Sequence, residues 1–330
     1  MFSSRCVLAS LLMAVTAAGS ESIHVSDLAT CGKCHSQARH VETSPMVRTL
    51  GPGSLLDAKK AWTATSHGYE YRIQNGMYEV RRGSDVIRVP VLWVFGSGRT
   101  GQTPLFELEG KLFESRVSLY KRKGGLDLTV GAANKAPATL LEAAGRQMSP
   151  ADTKECFGCH STRPASSASM RTGVGCVRCH QTKPDHPGAS ATAAKASAVS
   201  FESAGAQEIS DLCGECHRTW EQVMLMKLRG VSTVRFQPYR LTQSKCYDPA
   251  DKRISCVSCH DPHRPAEIST KRVDAACQSC HSAASAKPPC GHGPENCASC
   301  HMPKFELPGA HAEFSDHRIR VARKGEPFPD

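Results

Sequence analysis

Aromatic residues make up only 6% of this 330-residue chain, too few to fill the apolar core that a domain of this length ordinarily buries. Long hydrophobic runs are missing too. After the N-terminal segment nothing approaches the roughly 18 uninterrupted apolar residues of a membrane helix, so no stable membrane insertion of the mature chain is expected. Acidic residues are in the minority, 31 against 41 basic ones, for a formal net charge of +10. Such an excess ordinarily points to nucleic acid or a membrane surface. Regular apolar periodicity is sparse beyond residue 130, where Thr219 to Arg229, followed by Gly230, is the best helical stretch.

Cysteine and histidine are abundant, with 17 and 15 copies. Fourteen of the cysteines fall into seven Cys-x-x-Cys-His pentapeptides: Cys31/Cys34/His35, Cys156/Cys159/His160, Cys176/Cys179/His180, Cys213/Cys216/His217, Cys256/Cys259/His260, Cys277/Cys280/His281 and Cys297/Cys300/His301. Chance would give about 0.04 of them in a chain of this composition. A zinc site or a redox dithiol explains one CxxC, but neither needs a histidine after every second cysteine. Two thiols at i and i+3 suit thioether bonds to the two vinyl groups of one porphyrin, with the adjoining imidazole on its iron. The expected cofactor is therefore covalent haem c, seven copies. Porphyrins replace the missing apolar mass, at about 44 residues per haem. Two propionates per haem offset the basic excess, which removes the argument for nucleic acid.

Residues 1–20 carry Arg5, a 13-residue apolar run from Cys6 to Ala18, and small residues through Ser20. This is the pattern of a cleaved secretory signal, an uncleaved anchor being the alternative. Cys6 precedes the run, whereas a lipoprotein cysteine follows it. Export to the periplasm or the extracellular space is expected, since c-type haem is attached outside the bacterial inner membrane.

The motifs are unevenly spaced. The interval from His35 to His160 is 125 residues, and the later ones are 20, 37, 43, 21 and 20. Residues 21–65 hold the first motif and 131–330 form a dense six-haem block. Between them, 66–130 reads as a small antiparallel β subdomain. Tyr69 to Ile73 and Met77 to Val80 flank Gln74-Asn75-Gly76, Leu105 to Leu108 and Leu112 to Tyr120 flank Glu109-Gly110, and Val86 to Phe95 is one β-branched run. Its role is scaffold, with a docking or substrate-entry surface as the alternative. Ala189 to Ala206, rich in Ala and Ser, reads as a surface connection.

Eight histidines lie outside the motifs. Setting aside His24 beside the cleavage site leaves His40, His67, His186, His263, His292, His311 and His317 as candidate second axial ligands. His263 follows His260 by three residues, a span of at most ~10 Å that cannot round a porphyrin, so it serves a different haem or none. Less strictly, the same holds for His186 after His180. Met302 or Met170 can stand in for a missing histidine. Cys246 and Cys290 remain, and the simplest outcome in an oxidising compartment is one disulfide between them.

The strings ECFGCH, GVGCVRCH with trailing His186, LCGECH, CVSCHDPH, CASCHMPK with His311, and FSDHRI around His317 resemble those of a known group. YEYRIQNGMYEVRR, FGSGRTGQ and Ser244-Lys245-Cys246 fit it as well. This is the multihaem cytochromes c related to the tetrahaem electron acceptor of hydroxylamine oxidoreductase, in particular larger bacterial relatives often fused to tetratricopeptide repeats. Gln181-Thr182-Lys183-Pro184 replaces that group's usual Gly-Pro-Gly. The resemblance implies electron transfer through bis-His haems, with distal support for His67, His186, His263, His311 and His317. The expected fold class is a multihaem cytochrome c, mostly irregular and helical around a haem stack, plus the small β subdomain. Redox partners would be other cytochromes or membrane quinol-linked complexes. The rival function is an oxidoreductase of nitrite, hydroxylamine or another small nitrogen or sulfur compound at one open haem, and a third is a subunit of an extracellular haem filament. No motif ends in Lys, the substitution expected of one nitrite reductase class.

Overall fold

A computed structural model describes residues 30–56, 60–163, 171–180, 201, 203–264, 269–281 and 290–330. The expected signal segment, His24, Met170, His186 and residues 181–184 lie outside these.

The first half is built of β-strands. Strand β1 (Leu50–Pro52) precedes a four-strand meander of β2 (Trp62–Ser66), β3 (Tyr69–Gln74), β4 (Met77–Arg82) and β5 (Asp85–Pro90). A second sheet has the order β1, β6 (Trp93–Phe95), β7 (Gly101–Leu108), β8 (Lys111–Ser115) and β11 (Gly145–Gln147). The start of β7 also pairs with β9 (Val117–Tyr120), and β9 with β10 (Gly125–Leu128). Strict alternation drives the packing: Tyr69, Tyr71 and Ile73 on β3 and Tyr78 and Val80 on β4 are buried, while the residues between them on β3 face solvent. Asn75-Gly76 and Glu109-Gly110 supply two left-handed residues each, the backbone of a two-residue hairpin turn. His67-Gly68 makes a third such turn between β2 and β3.

The β region therefore runs from Leu50 to Gln147, wider than 66–130, because three-residue strands extend the second sheet at both ends. The run from Val86 to Phe95 is two strands. After Pro90 the backbone changes sheets: Val91 N–H donates to Gly76 in the meander and Leu92 N–H to Leu105 in the second sheet. Helix α1 (Leu140–Ala144) closes the core, where the buried Tyr78 hydroxyl donates to Ala144 O at 2.8 Å.

The second half is short helices: α2 (Pro150–His160), α3 (Cys176–Cys179), α4 (Ala206–His217), α5 (Trp220–Leu225), α6 (Gln237–Leu241), α7 (Cys256–Cys259), α8 (Thr270–Gln278) and α9 (Cys297–His301). A ribbon of β12 (Ser161–Arg163) and β13 (Arg171–Thr172) follows α2, and a hairpin of β14 (Lys304–Leu307) and β15 (Ala312–Ser315) follows α9. The expected helix over 219–229 stops at Leu225, since Lys227 turns left-handed. Both buried apolar clusters draw their members from Leu50 to Phe157. The helical half has only scattered buried apolar residues such as Ile209, Val223 and Val273 among those described.

Candidate haem-binding sites

Each Cys-x-x-Cys-His pentapeptide is wound into one helical turn. The His N–H donates to the carbonyl of the first Cys at His35 (2.8 Å), His180, His260 and His281 (2.9 Å each), which sets the two thiols on one side of the turn and the imidazole beside them. Local sequence enforces this. Ser149 caps α2 through a reciprocal box with Asp152, with Pro150 at its first position, so the helix that ends in Cys156, Cys159 and His160 has a defined start.

The motif helices form a ladder in which α2 packs on α4, α4 on α7, α7 on α8, and α8 on α9. The thiols mark the same order. Cys159 touches Cys216, and Cys213 touches Cys256. Cys179 neighbours Cys216, Cys259 neighbours Cys277, and Cys277 lies against Cys297. Cys216 accepts from Cys159 and lies beside Arg178, which together draw its thiol down against the opposing effect of burial. In space, motif four is thus flanked by two, three and five, and motifs five to seven follow in line.

The tethering thiols differ in exposure. Cys34, Cys280 and Cys300 are exposed, whereas the other eleven are half-buried. Position explains two of them. Cys34 belongs to the motif that precedes the ladder, and Cys300 sits at its far end, where α9 meets α8 through Cys297 and turns Cys300 outward beside Ser299 Oγ at 3.7 Å. A thiol on the surface is open to a vinyl group but is not walled in by the chain.

The imidazoles are oriented for ligation. Nδ1–H of His160 donates to Thr49 O (3.0 Å), that of His217 to Gln237 Oε1 (3.0 Å), that of His301 to Arg320 O (2.9 Å) and that of His317 to Ser315 O (3.0 Å). With the proton on Nδ1, the Nε2 lone pair is left for a metal. Burial depresses the pKa of His160, His217 and His260, and takes His317 down to about 4, favouring the neutral ligating form. His217 is desolvated yet exposed, as a ring lining a cleft would be.

Two pairs of rings face each other at a telling distance. His180 and His263 have centroids 5.9 Å apart with planes at 17°, and His260 and His317 are 6.1 Å apart at 24°. Face-to-face contact would be far closer. Two imidazoles on opposite sides of one metal, with bonds of about 2.0–2.1 Å and roughly 1.1 Å from nitrogen to ring centre, give about 6.2 Å. Tethering thiols, free Nε2 atoms and these separations together fit haem with two histidine ligands.

Residues 248–286 match the family model of the doubled CXXCH motif, spanning the fifth and sixth motifs. The fold is similar to that of the outer cell wall cytochrome OcwA, with a TM-score of 0.51 and 13% identity over 88% of this chain and 78% of that one. No curated protein matches. The two findings support a multihaem c-type cytochrome. Among the described residues no helix is long and apolar enough to cross a membrane.

The other expected ligands are placed differently. His311 packs on Tyr120 at 4.9 Å, and its Nε2–H donates to Asp127 Oδ2 at 3.0 Å, so the nitrogen expected on iron is bonded to the β region. His67 sits exposed at the β2–β3 turn with Nδ1 2.9 Å from Ser66 Oγ. His40 and His292 are exposed. The expected Cys246–Cys290 disulfide is not formed: both thiols are free and exposed, and Cys246 has Cys280 of the sixth motif as its neighbour.

Several site residues had no signal in the motifs. Phe95 meets the His160 ring edge-on at 4.8 Å, and Phe201 meets His180 at 5.5 Å. Thr49 O, just before β1, also accepts from Gly96 N–H, so the second sheet fixes the His160 acceptor. A cleft of about 280 Å³ between the β region and the C-terminal hairpin is lined by Arg99, Arg122, Lys304, His311 and Glu313.

Proposed function

We propose that the chain is an exported heptahaem c-type cytochrome, periplasmic or extracellular, that relays electrons between redox partners such as other cytochromes or membrane quinol-linked complexes. The observation that carries this reading is the pair of facing imidazoles, His180 with His263 and His260 with His317, each at the separation of two ligands on one iron. When bound, haem supplies reversible one-electron chemistry at each site. The chain's own residues do the rest. Cysteine pairs tether, from Cys31 and Cys34 through to Cys297 and Cys300, imidazoles hold both faces, and carbonyls at Thr49, Ser315 and Arg320 keep the ligating nitrogens deprotonated. Contact between motif helices along the ladder α2, α4, α7, α8 and α9 keeps those sites close, the requirement for relay without a general acid, base or nucleophile. Kinship with the hydroxylamine oxidoreductase-associated carriers belongs to this reading, as do cleavage of residues 1–20 and ligation by His67 and His186.

The test is mass and spin. Protein matured with a haem-ligation system should show seven haem additions on a chain starting near residues 19–22, with low-spin ferric signals dominant. Four or fewer haems would reject the count.

A second reading is favoured by one observation: His311 leans on Asp127 beside the cleft of Arg99, Arg122 and Lys304. A haem lacking its sixth ligand next to such basic groups would suit reduction of a small oxyanion. Rapid saturable turnover of nitrite or hydroxylamine with a high-spin ferric signal in untreated protein would favour it.

A further inference from the structure

The segment around His317 is anchored far more heavily than that around His263. Asp316 is fully buried, and its carboxylate accepts four hydrogen bonds. Arg240 donates Nε to Oδ1 (2.8 Å) and Nη2 to Oδ2 (3.0 Å), Arg320 donates Nη1 to Oδ2 (2.7 Å), and Arg318 N–H donates to Oδ1 (3.1 Å). Arg240, on α6, is fully buried too and carries the Phe328 ring over its guanidinium at 4.3 Å. Arg320 is tied in turn to Glu326. From the segment just after α6, Ser244 donates Oγ to His317 O (3.2 Å) and accepts from Ile319 N–H (2.8 Å). Every residue from 316 to 320 is thereby fixed, with the His317 ring left facing His260. His263, by contrast, has its backbone N–H and its Nδ1 on Asp261 two residues away, at 3.0 and 3.4 Å, and its side chain is 41% exposed.

Stability alone does not account for the arrangement. A buried ion pair exchanged for apolar side chains is often neutral or stabilising, and Arg240 Nη1 is buried here without a hydrogen-bond partner. What the bidentate fork does supply is a fixed direction, because planar Arg-carboxylate pairs hold one geometry.

We propose that Arg240 and Asp316 are positioning residues that hold His317 in place opposite His260, closing that site to outside ligands. The proposal rests on the bis-His reading of the pair. It is tested in holoprotein by covalent haem count, ferric spin state and the number of haems that bind carbon monoxide when reduced, with His317→Ala as reference. The double variant Arg240→Met/Asp316→Leu is expected to keep every covalent haem and its thermal melt. One further haem should turn high-spin and bind carbon monoxide, the same haem that His317→Ala opens, and added imidazole should restore the low-spin signal. Asp316→Asn, which keeps one acceptor, should show part of the effect and serves if the double variant does not fold. Unchanged spin state and carbon monoxide binding in both would overturn the positioning role while leaving bis-His ligation intact. An unchanged spectrum in His317→Ala would instead overturn the ligation itself, and the positioning role with it.

Discussion

Gly173 connects fold to site, and its replacement by Ala tests the connection. The residue follows β13, has φ +71°, and donates its N–H to His160 O at 2.9 Å, while Val174 N–H donates to Met46 O. A Cβ built on it would lie 1.8 Å from Val47 O. Carbon and oxygen normally rest about 3.3–3.6 Å apart, so the 46–49 segment would have to retreat by roughly 1.5 Å. That segment ends in Thr49, whose carbonyl holds His160 Nδ1. The left-handed backbone adds about 1–2 kcal/mol for a residue with a Cβ. Overpacking adds about 1–3 kcal/mol. The total of about 2–5 kcal/mol corresponds to a fall in Tm of roughly 3–7 °C for a chain of this length. Gly110→Ala is the internal control, since Gly110 has φ +72° but nothing within 4 Å of its Cβ position. Thermal melts followed by circular dichroism should show Gly173→Ala well below Gly110→Ala, and visible spectra should show one perturbed haem in the former alone. Equal, small losses would refute the close approach.

His263→Ala should turn one haem high-spin with the covalent count unchanged, read by electron paramagnetic resonance and mass. An unchanged spectrum would mean that its pairing with His180 is not ligation. Cys246 and Cys290 should both alkylate without prior reduction, and protection of both would restore the disulfide. The Asp152 carboxyl is held at about 2 by Ser149, whose side chain and backbone N–H donate to it, with Arg146 beside it. A pKa lowered from 3.8 stabilises the start of α2 above that value and stops doing so as pH falls towards 2, so Asp152→Asn should flatten this part of an acid titration of helicity. Chain made without haem ligation should yield, on limited proteolysis, a protected fragment close to residues 50–147. Uniform digestion would show that the β region does not stand alone.

The chemistry was legible because it is local. A CxxCH pentapeptide needs one helical turn, and all seven can be read from spacing. The exclusion of His263 from its own iron came from chain length alone, and the structure sets it against His180. The Asn75-Gly76 and Glu109-Gly110 hairpins were equally local. What stayed hidden depends on distant partners. Exposure of Cys34 and Cys300 follows from their places outside and at the end of the ladder, which identical pentapeptides do not encode. Three-residue strands such as β1 and β11 show no alternation, so the edges of the second sheet left no trace. Helix α4 begins at Gly205 and Ala206 with Glu208 completing its cap, directly after an Ala- and Ser-rich stretch that masks the start. The partner of His160 is Thr49, through both its carbonyl and its hydroxyl, 111 residues away and outside any motif. His311 reads as a ligand from its string, yet Asp127, 184 residues away, takes its Nε2.

If each histidine pair ligates one iron, as proposed, the pairs would also explain how a half with few buried apolar residues among those described holds one shape. His263, just after the fifth motif, reaches back to the third, and His317, near the C-terminus, reaches back to the fifth. The chain is thus laced through its fifth motif in both directions. Ligand bonds made only in the folded arrangement add their free energy to folding, as for any site that does not preexist in the unfolded chain. The β region has its own aromatic core and touches the ladder where Thr49 and Phe95 meet His160. It therefore forms a wall beside the second motif. On the proposed reading, the helical half would gain its order from what its cysteines and histidines bind.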